Sequence, residues 1–107
     1  MRAVLAVLVL AACAPTVPSA PRPDPIPFTL DAAGVQLSDR TQRIDFGRTD
    51  HSTIPAMSKL VGAKPAASQD CANGGQQVEW PDGTVLVFAN GEFRGWVSAT
   101  SRAGVSC

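Results

Sequence analysis

The sequence predicts an α+β fold: one short helix packed on a small antiparallel sheet, with a C-terminal three-stranded meander. Three observations carry this. Asn90-Gly91 lies between the apolar runs TVLVFA and EFRGWV, and this dipeptide marks a two-residue hairpin because both central turn positions take positive φ. Trp80-Pro81-Asp82-Gly83 has proline second and glycine fourth, which suits a type I turn with a glycine bulge. Ile54, Met57, Leu60 and Val61 recur at helical spacing and make one apolar stripe.

The elements follow in chain order. Phe28-Thr29-Leu30 and Val35-Gln36-Leu37 alternate as two short strands around Asp31-Ala32-Ala33-Gly34. Arg43-Ile44-Asp45-Phe46 is a third strand, with Ile44 and Phe46 on one face and Gly47 ending it. The helix is expected over 53–61. Pro55 has no N–H, which is harmless only in a first turn, so Ser52 or Thr53 serves as N-cap rather than Asp50. Gly62 suits a left-handed C-terminal cap, and Pro65 follows it. Residues 63–75, AKPAASQDCANGG, read as a loop.

The two turns set the register of the meander. Asn90-Gly91 pairs Phe88 with Phe93, Val87 with Arg94 and Val85 with Trp96. The earlier turn puts Trp80 opposite Thr84 and Val78 opposite Leu86. One face then carries Val78, Trp80, Leu86, Phe88, Phe93 and Val97, and packs on the helix stripe. The other carries Val85, Val87 and Trp96, flanked by Glu79 and Arg94. That second face is apolar enough to bind a partner, and tryptophan and arginine are enriched in interface hot spots. Trp96, Val85, Val87 and Arg94 are therefore the partner-binding candidates. The competing expectation is that residues 28–46 fold across this face and bury Trp96.

The amino terminus carries a separate message. Met1-Arg2 is positively charged, and residues 3–12 form an unbroken apolar run of ten. Ten residues are too few to span a bilayer but suit the apolar region of a signal peptide. The run ends Leu10-Ala11-Ala12-Cys13, which resembles the lipobox of bacterial lipoproteins. The resemblance implies cleavage after Ala12 and acylation of Cys13, so that lipid on Cys13 holds the protein to a membrane. A plain secretory signal cut nearby, or a buried apolar helix, is the alternative. Residues 1–12 are then signal peptide, 13–27 the lipidated cysteine with a tether, and 28–107 the globular domain. Six of the nine prolines fall within 14–27, a composition that favours extended polyproline II. Ala14 stands where inner-membrane lipoproteins of this family carry aspartate. In a Gram-negative cell this implies the outer membrane, facing the periplasm.

Cleavage leaves 95 residues with eight basic and nine acidic side chains, a net charge of −1. A near-neutral chain without a basic run argues against nucleic acid and against electrostatic attachment to anionic lipid. With Cys13 assigned to lipid, Cys71 and Cys107 remain, and an oxidising compartment favours joining them. The bond would close 37 residues and contribute on the order of 4 kcal/mol in the chain-entropy model. Two free thiols are the alternative, as is a metal site with His51, although no ligand spacing supports a metal. No cofactor is implied.

Catalytic patterns are sparse. Asp50-His51-Ser52 holds triad residue types, but sequence neighbours point apart and cannot form a relay. No nucleophile elbow or phosphate loop is present. Asp45 with Glu79 is a conceivable carboxylate pair that nothing favours. The strand ending in glycine, the helix ending Leu60-Val61-Gly62-Ala63-Lys64-Pro65, and the meander with Trp80 and Phe88-Ala89-Asn90-Gly91 resemble the small outer-membrane lipoprotein of the β-barrel assembly machine (the SmpA/OmlA type). That likeness spans 46–97. It implies a non-catalytic module that binds or organises another envelope protein. A periplasmic inhibitor or small-ligand-binding module is the alternative, and a small hydrolase comes third.

Overall fold

The structure, a computed structural model, describes residues 24–107. The expected signal peptide, Cys13 and most of the expected tether lie outside the described residues. Among the described residues the fold is α+β and mostly sheet: one helix and two antiparallel sheets. The first sheet holds β1 (Phe28–Asp31), β2 (Gly34–Leu37) and β3 (Arg43–Asp45). Helix α1 spans Asp50–Val61. The second sheet is a five-stranded meander of β4 (Ala67–Asp70), β5 (Gln76–Glu79), β6 (Val85–Ala89), β7 (Glu92–Val97) and β8 (Arg102–Gly104).

The first sheet obeys strand alternation. Phe28 pairs with Leu37, Leu30 with Val35, and Val35 with Ile44, so these five side chains share the core-facing side. Thr29, Gln36 and Arg43 fall on the opposite side. Gly34 has φ +140, and a Cβ there would run into the Ile44 carbonyl, so this crossing of β2 and β3 accepts only glycine.

The helix starts three residues before the expected position. Thr49 is the N-cap, its Oγ1 accepting from the Ser52 N–H at 3.3 Å. The Asp50 N–H donates to the Gly91 carbonyl at 2.9 Å, so the β6–β7 turn fixes the first turn from outside. Pro55 thus lies inside the helix. The carbonyl that loses its donor belongs to His51, whose side chain is 97% exposed, so solvent can reach it. The C-terminus is as expected: Gly62 has φ 76, and the Gly62 and Ala63 N–H groups both reach the Ser58 carbonyl.

Within the expected loop 63–75, β4 forms against β5. Its four residues are all exposed and have no apolar alternation, so only the pairing makes them a strand. β8 is equally silent in sequence. It joins β7 because Gly95 and Gly104 allow the two backbones to touch; a Cβ on either would collide with the other strand's backbone.

Both turns form as expected. Asn90 and Gly91 have φ 52 and 74. Across the other turn the Trp80 N–H meets the Thr84 carbonyl at 2.9 Å, and Val78 stands opposite Leu86. The register beyond Phe88 departs from expectation. Phe88 does face Phe93, but a bulge makes Arg94 the extra residue, so Val87 faces Gly95, Leu86 faces Trp96 and Val85 faces Val97. One inserted residue reverses every later side chain.

The core gathers on one side of the meander. Trp80, Leu86, Phe88, Phe93 and Trp96 pack with Met57 and Leu60 of α1 and with Val35, Leu37 and Ile44 of the first sheet. Phe93 meets Phe46 edge-on, ring centroids 4.9 Å apart. Both indoles find partners. Trp80 Nε1 donates to Ser58 Oγ on α1 at 3.0 Å, and Trp96 Nε1 donates to the Asp31 carbonyl on β1 at 2.7 Å.

Candidate functional site

The expected partner face is not a face. Trp96 is 4% exposed and belongs to the core. The bulge at Arg94 turns it inward, and the first sheet accepts its N–H. Val87 is 2% exposed, Val85 is half-buried, and Arg94 is exposed but paired with Glu92. No apolar patch centred on Trp96 remains.

The other sequence candidates also separate. Cys71 and Cys107 are within disulfide range, with Cα atoms 5.1 Å apart, so the pair sits where the expected bond requires. His51 stands exposed at the helix start, away from any cluster of potential metal ligands; none of three or more such residues exists among the described residues. Asp45 accepts from Arg43 Nε at 2.9 Å, while Glu79 is exposed on the other sheet.

What the fold does bring together is positive charge. A cleft of about 450 Å³ opens between α1, the β2–β3 connection and the segment entering β1. Arg40, Arg43, Arg48 and Lys59 line it, with no acidic residue among its walls. Its apolar lining is Ile26, Leu37, Ile44, Leu60 and Ala56. Seven basic residues lie within 24–107, so more than half of them face one concavity in a chain of near-zero net charge.

The cleft is held open by a chain of polar contacts. Asp31 takes both terminal nitrogens of Arg43, at 2.7 and 2.8 Å, in the bidentate arrangement that suits guanidinium and carboxylate. Arg43 Nη1 also donates to Gln36 Oε1 at 2.8 Å. The Gln36 amide nitrogen in turn donates to the Arg40 carbonyl at 2.8 Å and the Gln42 carbonyl at 3.2 Å. These bonds shape residues 38–42 into one wall. On the opposite side, the Ile26 N–H donates to the Leu60 carbonyl at 2.8 Å and ties the incoming chain to the helix end.

The four cations differ in availability. Arg43 is spent on Asp31 and Asp45; the hydrogen bonds it donates to their carboxylates raise its already high pKa further, so it stays charged. The same guanidinium, with the Ala33 N–H, lowers the Asp31 carboxyl from 3.8 to about 2. Arg40 lies 3.8 Å from Asp39, and both are exposed. Arg48 and Lys59 have no ion-pair partner among the described residues. Lys59 occupies the last turn of α1, where the helix dipole favours a cation.

The sequence hides this arrangement for a simple reason. Arg40, Arg43 and Arg48 alternate with Asp39, Asp45 and Asp50, so no local run of charge exists. Three arginines within nine positions were the available signal. Comparison of the chain with family models, with curated proteins and with solved structures found no match.

Proposed function

We propose that this chain is a cell-envelope lipoprotein, anchored through lipid on Cys13, that acts by binding rather than by turnover. The cleft between α1 and the first sheet is its binding site. The observation that carries this reading is a concavity lined by Arg40, Arg43, Arg48 and Lys59 beside five apolar residues, in which Arg48 and Lys59 have no ion-pair partner among the described residues. Ligand sites are usually concavities that combine apolar walls with a few placed polar groups, and half of the residues lining this one are apolar. The lipobox supports the anchor, and Ala14 in place of aspartate after Cys13 supports the outer-membrane, periplasm-facing location in a Gram-negative cell. Likeness to the barrel-assembly lipoprotein supports a binding role at the level of topology alone. A protein partner in the envelope was the first expectation for such a module. With Trp96 buried, the cleft is the surface we assign to such a partner.

The test uses a photoreactive residue in place of Arg48 in cells carrying the full chain. Capture at that site, lost when the probe is moved to Arg102 on β8, supports the cleft as the binding site. Equal capture at both positions overturns it. Mass analysis of the purified amino terminus tests the anchor separately: a peptide beginning at acylated Cys13 supports it, and an unmodified Cys13 overturns it.

A further inference from the structure

The cleft sets five apolar residues beside four basic ones and Gln42, a lining that matches an amphiphile better than a small ion or a neutral chain. Ile44 and Leu60 are buried core residues that also reach its floor, flanked by Ile26 and Ala56. The uncommitted charges, Arg48 and Lys59, lie at its walls and are exposed. Volume agrees: about 450 Å³ falls within the span of small-molecule pockets. We infer that the cleft binds a single-chain anionic amphiphile, such as a fatty-acid carboxylate, with the tail on the apolar floor and the head between Arg48 and Lys59. This rests on the cleft being the binding site. It does not depend on the lipid at Cys13.

Each part of the ligand has its own reason. An anion held by two cations, neither of them already ion-paired, gains charge-assisted hydrogen bonds without breaking an internal salt bridge. A tail covers Ile26 and Ala56, the half-buried apolar residues of the lining, since Leu37, Ile44 and Leu60 are already buried. Arg43, already satisfied by Asp31 and Gln36, keeps the wall in place rather than gripping the head.

Detergent would compete for an amphiphile site, so the test uses the mature chain from residue 13 carrying Cys13→Ser, without detergent. Dodecanoate, decanoate, octanoate, acetate, dodecanol and inorganic phosphate are titrated by calorimetry below micelle formation. Dodecanoate is expected to bind, with acetate and phosphate undetectable. Each methylene removed weakens binding by up to about fourfold, and dodecanol binds about tenfold or more weakly. Arg48→Gln with Lys59→Gln weakens dodecanoate about tenfold and leaves dodecanol unchanged. Ala56→Phe, which fills the floor, weakens both. Lys64→Gln with Arg102→Gln removes the same charge elsewhere and changes neither. Phosphate binding as well as dodecanoate, independence of chain length, or equal losses in the two charge-removing pairs would overturn the inference. So would no binding of any probe. In that case, capture of a protein at Arg48 in cells would leave the cleft as the binding site and remove only the amphiphile. Absence of both removes both.

Discussion

The two sheets do different work. The five-stranded meander contributes most of the buried mass: Val78, Trp80, Leu86, Phe88, Phe93 and Trp96. The three-stranded sheet places Val35, Leu37 and Ile44 in the same core, but its other side is a polar lattice of Asp31, Gln36, Arg43 and Asp45. One sheet holds the fold by excluding water. The other spends its outer side on hydrogen bonds that shape a cleft wall. The difference teaches that the sheet contributing fewer buried apolar side chains is the one that builds the candidate site, and that it depends on the meander for its footing. Trp96 is that footing, since it sits in the core of one sheet and donates to the backbone of the other.

Removing that link gives the largest expected effect. Trp96→Ala opens a cavity where the sheets meet and leaves the Asp31 carbonyl without its donor, at a cost of about 3–5 kcal/mol. Denaturant unfolding measures it, and a loss below about 1 kcal/mol, the ordinary size for a point mutation, would mean the sheets do not depend on each other. Next comes the Cys71–Cys107 link. Replacing both residues with serine is expected to lower stability by up to about 4 kcal/mol. Because Cys107 ends the strand-bearing tail after β8, amide exchange should rise first in β8 while the first sheet stays protected.

The polar lattice gives smaller effects with a distinct pH signature. The Asp31 carboxyl is lowered from 3.8 to about 2 in the folded chain. Its contribution is therefore complete above about pH 4 and is lost as pH falls toward 2. Arg43→Met removes the main cause of the shift, so the acid-induced loss between those values is expected to shrink. Urea midpoints at several pH values would show this, and an unchanged profile would assign the acid sensitivity elsewhere. The smallest effect concerns Thr53, fully buried on α1 with its Oγ1 unpartnered among the described residues. Thr53→Val keeps the shape and deletes the orphan hydroxyl. It is expected to be neutral or stabilising within about 1 kcal/mol, read as a thermal midpoint equal to or above that of the parent.

Much of the fold was legible from local chemistry. Asn90-Gly91 and Pro81-Asp82-Gly83 specify turns through φ requirements that few residues meet. Gly62 and the Met57, Leu60, Val61 stripe specify a helix and its end. The pairing of Cys71 with Cys107 followed from counting thiols once Cys13 was assigned. The misses have equally local causes. β4 and β8 contain no apolar period, because β4 is held by its backbone bonds to β5 and β8 by bonds to β7 where Gly95 and Gly104 admit a neighbour. The helix starts before the position that Pro55 predicts, because the Gly91 carbonyl supports its first turn from the next hairpin.

The candidate site divides along the same line. Residues 84–97 alone suggested a solvent-facing Trp96, and one bulged residue, Arg94, reversed it. Bulges follow from how a strand must twist to meet both neighbours, here β6 and β8, and that requirement is absent from any stretch read singly. The charges were visible as residues but not as a cluster, since each arginine from 40 to 48 has an aspartate close by in sequence. Local order in the chain determined turns, caps and the thiol pair, because these depend on dihedral angles and counting over a few residues. The inward turn of Trp96 and the basic cleft came from packing two sheets and a helix together, because burial and charge density are properties of neighbours in space.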